Sequence, residues 1–250
     1  MDPLACDTGA SPEWESTPPV ELPEKAVHVW LVECESVRAA VEPWLRPVER
    51  RRAQEFNDAA SGLRYAAVRG ALRAVLARYE GAAAAEIRIR CEPGGKPRLK
   101  AAGDTAPEFN VSHSGAYGLV ALSRGGPVGV DIELIKEDRP LLKLARRFFA
   151  PDEAAAIEAM DSAGRRAAFY RVWTRKEALV KALGTGLRHS LKAFTVSAAA
   201  KVGENALLAG SGAEAPERWR IIPLPVPAGY EGALAMPVSA GPVRSFQFSV

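Results

Sequence analysis

Apolar residues along the chain follow two different spacings, which predict both strands and helices. Alternating apolar residues at 27–31 predict a strand. Residues 61–81 and 165–183 carry apolar residues at the three- and four-residue spacing of an amphipathic helix. Gly81 and Gly184 can end these two helices, because glycine readily adopts the left-handed conformation of a helix C-cap.

Shorter elements are predicted between the long helices. Pro47 is expected to open a helix that runs to about Asp58, because proline is favoured in the first helical turn. Short strands are predicted at residues 87–91 and 193–197. Three arginines lie largely off the apolar stripe of the 61–81 helix, namely Arg64, Arg73 and Arg78. Most of them are expected to face solvent.

Residues 109–133 combine a strand-like apolar run with polar interruptions. Ser112, His113 and Ser114 supply hydrogen-bonding groups where a buried strand would continue with apolar residues. A turn alone does not require a histidine. A histidine in such a place is nevertheless more often a hydrogen-bonded structural residue than a ligand or a base, so both interpretations stay open at this point.

Two carboxylates follow in the same segment. Asp131 and Glu133 lie two residues apart, which directs both side chains to one face of an extended strand. Like charges on one face repel each other unless a cation lies between them. The pair therefore indicates either a cation site or the solvated face of a half-buried strand.

The 165–183 helix carries Trp173, Glu177 and Lys181 at four-residue intervals. This spacing keeps the carboxylate and the ammonium group close together on the helix surface. An ordinary exposed pair of this kind contributes only about 0.3–0.5 kcal/mol to stability. Because an aromatic residue lies beside the pair and two more acids precede it in the chain, we favour a functional site.

Three motifs occur in order: FNVSHS at residues 109–114, GVDIE at 129–133, and WTRKEALVK at 173–181. A Gly-Lys-Pro turn at Gly95, Lys96 and Pro97 precedes them. Together they resemble the 4′-phosphopantetheinyl transferase superfamily, in particular its broad-range, surfactin-synthetase-activating (Sfp-like) type. The resemblance extends from about residue 28 to the C-terminus.

The resemblance implies an α+β fold with pseudo-two-fold symmetry. Each half would hold a small antiparallel sheet with packed helices, and the active site would lie in the cleft between the halves. We place the N-terminal half, which would bind the CoA nucleotide, at residues 26–126, and the C-terminal half, with the metal site and the carrier-protein surface, at 127–250. Residues 1–25 are rich in proline and are expected to form a disordered or loosely packed extension without a function of its own.

The resemblance also implies an activity. Such an enzyme transfers the 4′-phosphopantetheine group of coenzyme A to a serine of an apo acyl or peptidyl carrier protein and releases adenosine 3′,5′-bisphosphate. It thereby activates fatty-acid, polyketide or nonribosomal-peptide synthases. Asp131, Glu133 and Glu177 would bind Mg²⁺, with Mn²⁺ able to substitute, since hard cations prefer oxygen ligands.

The remaining roles follow from the same resemblance. Glu177 and Lys181 would be catalytic, Lys181 by neutralising the leaving phosphate, and the base would be Glu177 or a metal-bound water that Glu153 orients. Arg52, on the helix that Pro47 opens, falls where the family has a basic residue against the CoA 3′-phosphate. A second basic position of the family falls on Glu49, which is acidic, and this weakens the phosphate clamp expected on the same helix. The residues assigned to coenzyme A are Arg52, Gly95, Lys96, Pro97, Ser112, His113, Lys176 and Lys181.

Charge and composition restrict the partners. Residues 1–25 hold six of the 30 acids and one of the 33 bases, so the rest of the chain has 24 acids, 32 bases and a net charge of +8. A basic body without long Lys/Arg runs favours a compact polyanion and an acidic carrier domain rather than nucleic acid. The segment at residues 134–149 is the expected docking surface.

The cell compartment is inferred from cysteine usage and hydropathy. Cys6, Cys34 and Cys91 have neither an even count nor the spacing of a zinc site, which predicts reduced thiols in the cytoplasm. We expect no export signal and no membrane span. An intact cleft within one chain makes a monomer the expected state.

Two other classes of protein share some of these features with the transferase. A metal-dependent nuclease typically has a lysine two residues beyond an acid, whereas Leu134 and Ile135 follow Glu133 here. A non-catalytic module that binds CoA or a carrier would keep the basic pocket and lose an acid. Since all three acids are present, the sequence favours an enzyme.

Overall fold

The structure is a computed structural model that describes residues 14–16, 19, 21–90, 96–100, 106–186 and 190–250. The predicted mixture of helices and small sheets is confirmed. The α-helices in these ranges are α1 Cys34–Val41, α2 Pro47–Gln54, α3 Ala59–Glu80, α4 Leu141–Phe148, α5 Pro151–Glu158 and α6 Ser162–Leu183. The strands are β1 Val27–Glu33, β2 Ile89–Arg90, β3 Arg98–Leu99, β4 Glu108–Ser114, β5 Tyr117–Ser123, β6 Gly129–Leu134, β7 Thr195–Val196, β8 Leu207–Ala209, β9 Trp219–Pro223, β10 Tyr230–Pro237 and β11 Val243–Gln247.

Two sheets form the centre of the molecule. The first has the strand order β11-β1-β5-β4 and the second has the order β6-β10-β9. All neighbouring strands in these two sheets are antiparallel except β1 and β11, which are parallel. β4 and β6 are therefore edge strands of different sheets.

The sheets and the two long helices stack in layers. α3 packs on one face of the first sheet, where Trp30 and Val120 belong to its core cluster. α6 packs on one face of the second sheet beside Ala233. A third cluster, with Val29 of β1 and Val130 of β6 among its members, fills the space between the sheets. β1 is consequently buried on both faces instead of on the one face that its alternation predicts.

The C-terminal ends of both long helices agree with the sequence pattern, whereas the N-cap of α3 is Asp58 and not Ser61, the cap that the sequence favours. α3 begins after Asp58, whose side chain accepts a hydrogen bond from the backbone N–H of Ser61. Asp161 caps α6 in the same way. Gly81 and Gly184 have φ angles of 64° and 70°, which confirms their predicted roles as left-handed C-caps.

Several elements differ from the sequence prediction. α1 was not predicted, and α2 ends at Gln54 instead of near Asp58. Among the described residues, the strands predicted at 87–91 and 193–197 are observed only at Ile89–Arg90 and Thr195–Val196. Arg73 is fully buried, contrary to the expectation for most arginines of α3, because its guanidinium is an internal hydrogen-bond donor.

Part of the N-terminal segment packs against the last strand. The backbone N–H of Glu15 donates to Ser245 at 2.8 Å, and Gln247 donates back to the carbonyl of Glu15 at 2.9 Å. The Glu15 side chain pairs with Arg244. These contacts tie the described part of residues 1–25 to the first sheet, while the division of the chain at residue 126 stays a prediction.

Among the described residues, the longest helices are too polar to cross a membrane.

Candidate active site

Side chains of β4 join the two sheets at their neighbouring edges. Three alternate residues of β4 each accept a hydrogen bond from a backbone N–H of β6, so polar side chains hold this seam together. The accepting oxygens and donating amides are Asn110 Oδ1 with Val130 (3.0 Å), Ser112 Oγ with Ile132 (3.3 Å), and Ser114 Oγ with Leu134 (3.1 Å).

Asp131 lies in the middle of this seam and is almost fully buried. Its Oδ1 accepts hydrogen bonds from Ser112 Oγ at 2.8 Å and from Lys181 Nζ at 2.6 Å. Lys181 Nζ also donates to Ser112 Oγ at 2.9 Å and to the carbonyl of Val130 at 3.2 Å. Asp131 Oδ2 is buried and has no hydrogen-bond partner. One oxygen of this carboxylate is therefore paired with an ammonium group, and the other is unpaired.

The other two acids lie close to Asp131. Ser114 Oγ donates to Glu133 Oε2 at 2.9 Å. Burial raises the pKa of Glu133, and the charge of Asp131 raises it further. Burial also raises the pKa of Glu177, with added contributions from Asp131 and Glu133. The structure thus brings the three predicted carboxylates within electrostatic reach of one another.

Close packing of α6 on β6 places Glu177 near the strand. A Cβ atom on Gly129 would lie 2.0 Å from the carbonyl oxygen of Ala178 on α6. Any other residue at Gly129 would push the helix away from the strand. The glycine of the GVDIE motif therefore brings the carboxylates of the helix and the strand together.

Basic groups surround the acids from both halves of the chain. Burial lowers the pKa of His113 on β4, and the charges of Lys181 and Arg64 lower it further. Arg64, near the start of α3, donates to Ser61 Oγ at 2.7 Å. Lys136, just beyond β6, is near enough to Asp58 for its charge to help lower the pKa of that acid. Arg64 of α3 and Lys181 of α6 thus both lie within electrostatic reach of His113 on β4.

Lys96, which the resemblance assigns to coenzyme A, lies beside the segment that precedes β6. Its Nζ donates to the carbonyl of Val128 at 2.7 Å and is 3.4 Å from Glu108 Oε2. The side chain is 8% exposed, and burial lowers its pKa. Pro97 is described beside it, whereas Gly95 lies outside the described residues. Lys96 therefore already has two protein partners.

The predicted phosphate clamp on α2 is divided between an exposed and a buried residue. Arg52 is exposed, pairs with Glu55 at 3.0 Å, and lies over the ring of Phe56. Glu49 is buried and accepts hydrogen bonds from Arg69 at 2.6 Å and Arg73 at 2.8 Å. The acidic residue at the family's basic position thus anchors α2 to α3. A cavity of about 550 Å³ lies beside these helices, and its lining includes none of the three acids.

Glu153 and Lys176 lie away from the three acids, in contacts of their own. Lys176 is fully buried, forms an ion pair with Glu153 at 2.8 Å, and donates to the carbonyls of Leu191 (2.7 Å) and Phe194. Both carboxylate oxygens of Glu153 accept backbone hydrogen bonds, from Val196 and Ala150. These contacts support a structural role for the pair and depart from the predicted roles in proton transfer and CoA binding.

Comparison with known proteins agrees with the arrangement of acids and motifs. The model of the 4′-phosphopantetheinyl transferase superfamily matches residues 127–234. A 4′-phosphopantetheinyl transferase of Synechocystis is 36% identical over 166 residues, which are 65% of this chain and 67% of that protein. The 4′-phosphopantetheinyl transferase HetI of Nostoc is 32% identical over 182 residues, 70% of this chain and 76% of that protein. This chain belongs to the 4′-phosphopantetheinyl transferase superfamily.

The Sfp-like type predicted from the motifs is also confirmed. The 4′-phosphopantetheinyl transferase Sfp of Bacillus subtilis is 34% identical over 126 residues, 50% of this chain and 54% of that protein. As a 4′-phosphopantetheinyl transferase, the protein transfers phosphopantetheine from coenzyme A to a carrier protein.

The acids of this transferase fit a magnesium ion by their chemistry. Carboxylate oxygens are the ligands that Mg²⁺ prefers, and the buried Asp131 Oδ2 has a free lone pair. In the part of the chain that the structure describes, no three histidine, cysteine, aspartate or glutamate side chains have the spacing of a ready-formed metal site. Lys181 is the cation that contacts Asp131 in this arrangement.

Sequence reasoning missed the structural use of Asn110 and Ser114. Both precede β6 by about 20 residues, and no local pattern indicates which backbone their side chains contact. The available signal was the alternation of Asn110, Ser112 and Ser114, which places three polar side chains on one face of β4. Such a face needs polar partners when it is buried.

Proposed function

We propose that this transferase uses Mg²⁺ bound by Asp131, Glu133 and Glu177 to transfer phosphopantetheine from coenzyme A to a serine of an apo acyl or peptidyl carrier domain. The leaving group is adenosine 3′,5′-bisphosphate. The observation that carries the proposal is that three buried or half-buried carboxylates lie within electrostatic reach of one another and of Lys181, which pairs with Asp131. The acids match a hard cation and the basic groups match a diphosphate.

Charge neutralisation is the main demand of this reaction. Phosphoryl transfer builds negative charge on the leaving phosphate, and bound Mg²⁺ supplies positive charge there. Lys181 is the nearest ammonium group to the acids and can donate hydrogen bonds to the same phosphate oxygens. A substrate phosphate can replace Asp131 as the partner of Lys181, because both present anionic oxygens.

The carrier serine must lose its proton as it attacks. Glu177 is the assigned base, because burial and the neighbouring acids raise its pKa and make it a stronger base than a solvated glutamate. Glu153 is a poorer candidate, since both of its oxygens already accept hydrogen bonds.

Coenzyme A would extend from this centre along the first half of the chain. His113 and Arg64 lie near Lys181 and provide further donors for phosphate. The exposed Arg52 on α2 is assigned to the 3′-phosphate. Ser112 has a different role, because its hydroxyl already donates to Asp131 and accepts from Lys181 and Ile132.

The carrier would dock on the segment that follows β6. This segment has five exposed bases and a groove of about 360 Å³ that Arg139, Leu141 and Lys143 help to line. An acidic carrier surface complements this charge. Fatty-acid, polyketide and peptide synthases are the expected sources of the carrier. The five exposed bases of this docking segment are Lys136, Arg139, Lys143, Arg146 and Arg147.

One incubation tests the reaction class. The protein is mixed with Mg²⁺, CoA and a purified apo carrier domain, and the carrier is weighed by mass spectrometry. A transferase adds one phosphopantetheinyl group to the carrier. An unchanged carrier mass with intact CoA would contradict the proposal and favour a binding module.

The coenzyme A clamp has its own test. Arg52→Ala and His113→Ala should raise the KM for CoA and leave the KM for the carrier nearly unchanged, because both side chains are assigned to CoA phosphates. Arg78→Ala, at the far end of α3, is the matched control. Equal KM values for CoA and dephospho-CoA in the unaltered enzyme would contradict the 3′-phosphate assignment.

A further inference from the structure

The two sheets meet at β4 and β6 through side chains and not through a backbone ladder. β4 belongs to the sheet of the first half, and β6 carries Asp131 and Glu133. Ser112 and Ser114 are two residues apart on β4, matching the spacing of the two acids on β6. Each serine therefore faces one acid across the seam.

Each of the two hydroxyl groups contacts one carboxylate and one backbone N–H of β6. Ser112 Oγ donates to Asp131 and accepts from the N–H of Ile132. Ser114 Oγ donates to Glu133 and accepts from the N–H of Leu134. Each serine thus binds the carboxylate of one residue and the backbone of the next. This double contact fixes the hydroxyl on the strand and directs its proton to the carboxylate.

The hydrogen-bonding capacity of Ser112 is fully used. A serine hydroxyl has one proton to donate and two lone pairs to accept with. In Ser112 the proton goes to Asp131, and the lone pairs accept from Ile132 and Lys181. The side chain is also buried. It orients other groups and has no donor left for a substrate phosphate.

Ser114 allows the orienting effect to be measured separately. Its described side-chain partners are Glu133 and Leu134, and its hydrogen bonds do not involve Lys181. Removing its hydroxyl therefore leaves the Lys181–Asp131 pair in place. The carboxylate of Glu133 would then lose the group that fixes its rotation.

We propose that Ser112 and Ser114 are positioning residues that hold Asp131 and Glu133 in the orientation needed for Mg²⁺. The first half of the chain thereby sets the geometry of ligands carried by the second half. This inference rests on the proposed magnesium function of the acids. Groups that hydrogen-bond to metal ligands commonly change metal affinity about 10- to 100-fold when they are removed.

The direct test is the Mg²⁺ affinity of Ser114→Ala in the presence of CoA, measured by isothermal titration calorimetry. The dissociation constant for Mg²⁺ should rise about tenfold. At saturating Mg²⁺ the KM for CoA should stay unchanged. Ser114→Thr keeps the hydroxyl on a residue that suits a strand and should restore the affinity.

Ser123→Ala is the matched control. Ser123 is a buried serine of the neighbouring strand β5, and its hydroxyl accepts from the N–H of Gly125 at 3.0 Å. This variant should keep the Mg²⁺ affinity of the unaltered enzyme. Thermal unfolding of all variants without metal shows whether each one folds. If Ser114→Ala does not fold, Ser114→Cys, with its weaker donor, takes its place and should show a smaller loss of affinity.

Three negative outcomes have different meanings. If Ser114→Ala binds Mg²⁺ as tightly as the unaltered enzyme, the serine does not position Glu133 and the inference is wrong. If the unaltered enzyme itself binds no Mg²⁺ with CoA present, the inference fails together with the proposed metal site. A loss of affinity that Ser114→Thr does not restore also contradicts the inference, because the loss would then come from changed packing and not from the missing hydroxyl.

Discussion

Asp131, Glu133 and Glu177 have different surroundings, which assigns them different tasks. Asp131 and Glu133 lie on one strand, and each accepts a hydrogen bond from a serine of β4. Glu177 lies on α6, and burial followed by the charges of the other two acids raises its pKa. The serine contacts separate Asp131 and Glu133 from Glu177, whereas a raised pKa does not, because burial raises the pKa of Glu133 as well.

Substitution of the acids should separate these tasks. Asp131→Ala and Glu133→Ala should weaken Mg²⁺ binding and regain part of their activity in excess metal. Glu177→Gln keeps an oxygen ligand and removes the base, so its kcat should stay on the order of 100-fold low at saturating Mg²⁺. The measurement is kcat as a function of Mg²⁺ concentration. Full turnover of Glu177→Gln at high Mg²⁺ would place the base elsewhere.

His28 on β1 makes folding stability depend on pH. Burial lowers its pKa from 6.5 to about 4, while its Nδ1 lies 2.8 Å from Tyr79 Oη. Between these two pH values the unfolded chain binds a proton that the folded protein excludes. Stability should therefore be greatest above pH 6.5 and fall as the pH decreases toward 4.

Urea unfolding at pH 7 and pH 5 measures this effect. The loss of unfolding free energy between these pH values should be smaller in His28→Leu, which has no group to titrate. The pKa of His113 is lowered too. The same loss is therefore measured in His113→Asn, to separate its contribution from that of His28. An equal loss in the unaltered enzyme and in His28→Leu would contradict the role of His28.

At the scale of elements, α2 is attached to α3 by one buried carboxylate. Glu49 binds both Arg69 and Arg73, and Arg73 also donates to the carbonyl of Ile87 at 2.7 Å. The guanidinium groups are almost fully enclosed. The network therefore joins α2, α3 and the segment before β2.

Glu49→Gln should lower the free energy of unfolding by about 3 kcal/mol, because it leaves buried guanidinium groups without their counter-charge. Glu55→Gln, which breaks the exposed pair with Arg52, is the control and should change it by less than about 1 kcal/mol. Urea unfolding measures both. Similar stability of the two variants would mean that the buried network does not anchor α2.

The elements that could be predicted are those whose signals are local. α3 and α6 have long apolar stripes, and Gly81 and Gly184 mark their ends within the sequence. α1 begins directly after β1 without a capping side chain, so nothing in the sequence separates the two elements. Among the described residues, β2 and β7 each pair with a neighbouring strand over two residues, which is too short for an alternating pattern to be recognised in the sequence.

The site could be predicted only as a set of residue types. Spacing alone indicated that Asp131 and Glu133 share a face, which agrees with their serine partners on β4. The burial of Lys176 and its pairing with Glu153 depend on how the segment around Leu191 folds back onto α6. Contacts of this kind join residues far apart in sequence and leave no local pattern.

At the scale of the whole molecule, two helix-covered sheets meet along a polar seam that carries the candidate site. An apolar cluster that includes Val29 and Val130 fills the space between the sheets. The proposed function places CoA on the side of the first sheet and the carrier on the segment that follows β6. The net charge of +8 outside residues 1–25 favours acidic carriers.

Electrostatic steering makes carrier recognition sensitive to salt. The KM for the carrier should rise steeply with ionic strength, because screening limits such attraction to about 10 Å at 0.1 M salt. Lys143→Glu on the predicted docking surface should raise this KM at low salt. Arg78→Glu, in the last turn of α3 and outside the docking segment, makes the same charge change and should have little effect. A KM that does not change between low and moderate salt would contradict the docking surface.

The most direct test of the three-acid site is the metal dependence of the transfer itself. The initial rate of carrier modification is measured by mass spectrometry after removal of metal with EDTA and after stepwise return of Mg²⁺. The rate should be abolished by EDTA and should return along a saturation curve, because the acids require a cation to bind the diphosphate. A full rate of phosphopantetheinyl transfer in EDTA would contradict the assignment of Asp131, Glu133 and Glu177 as a magnesium site.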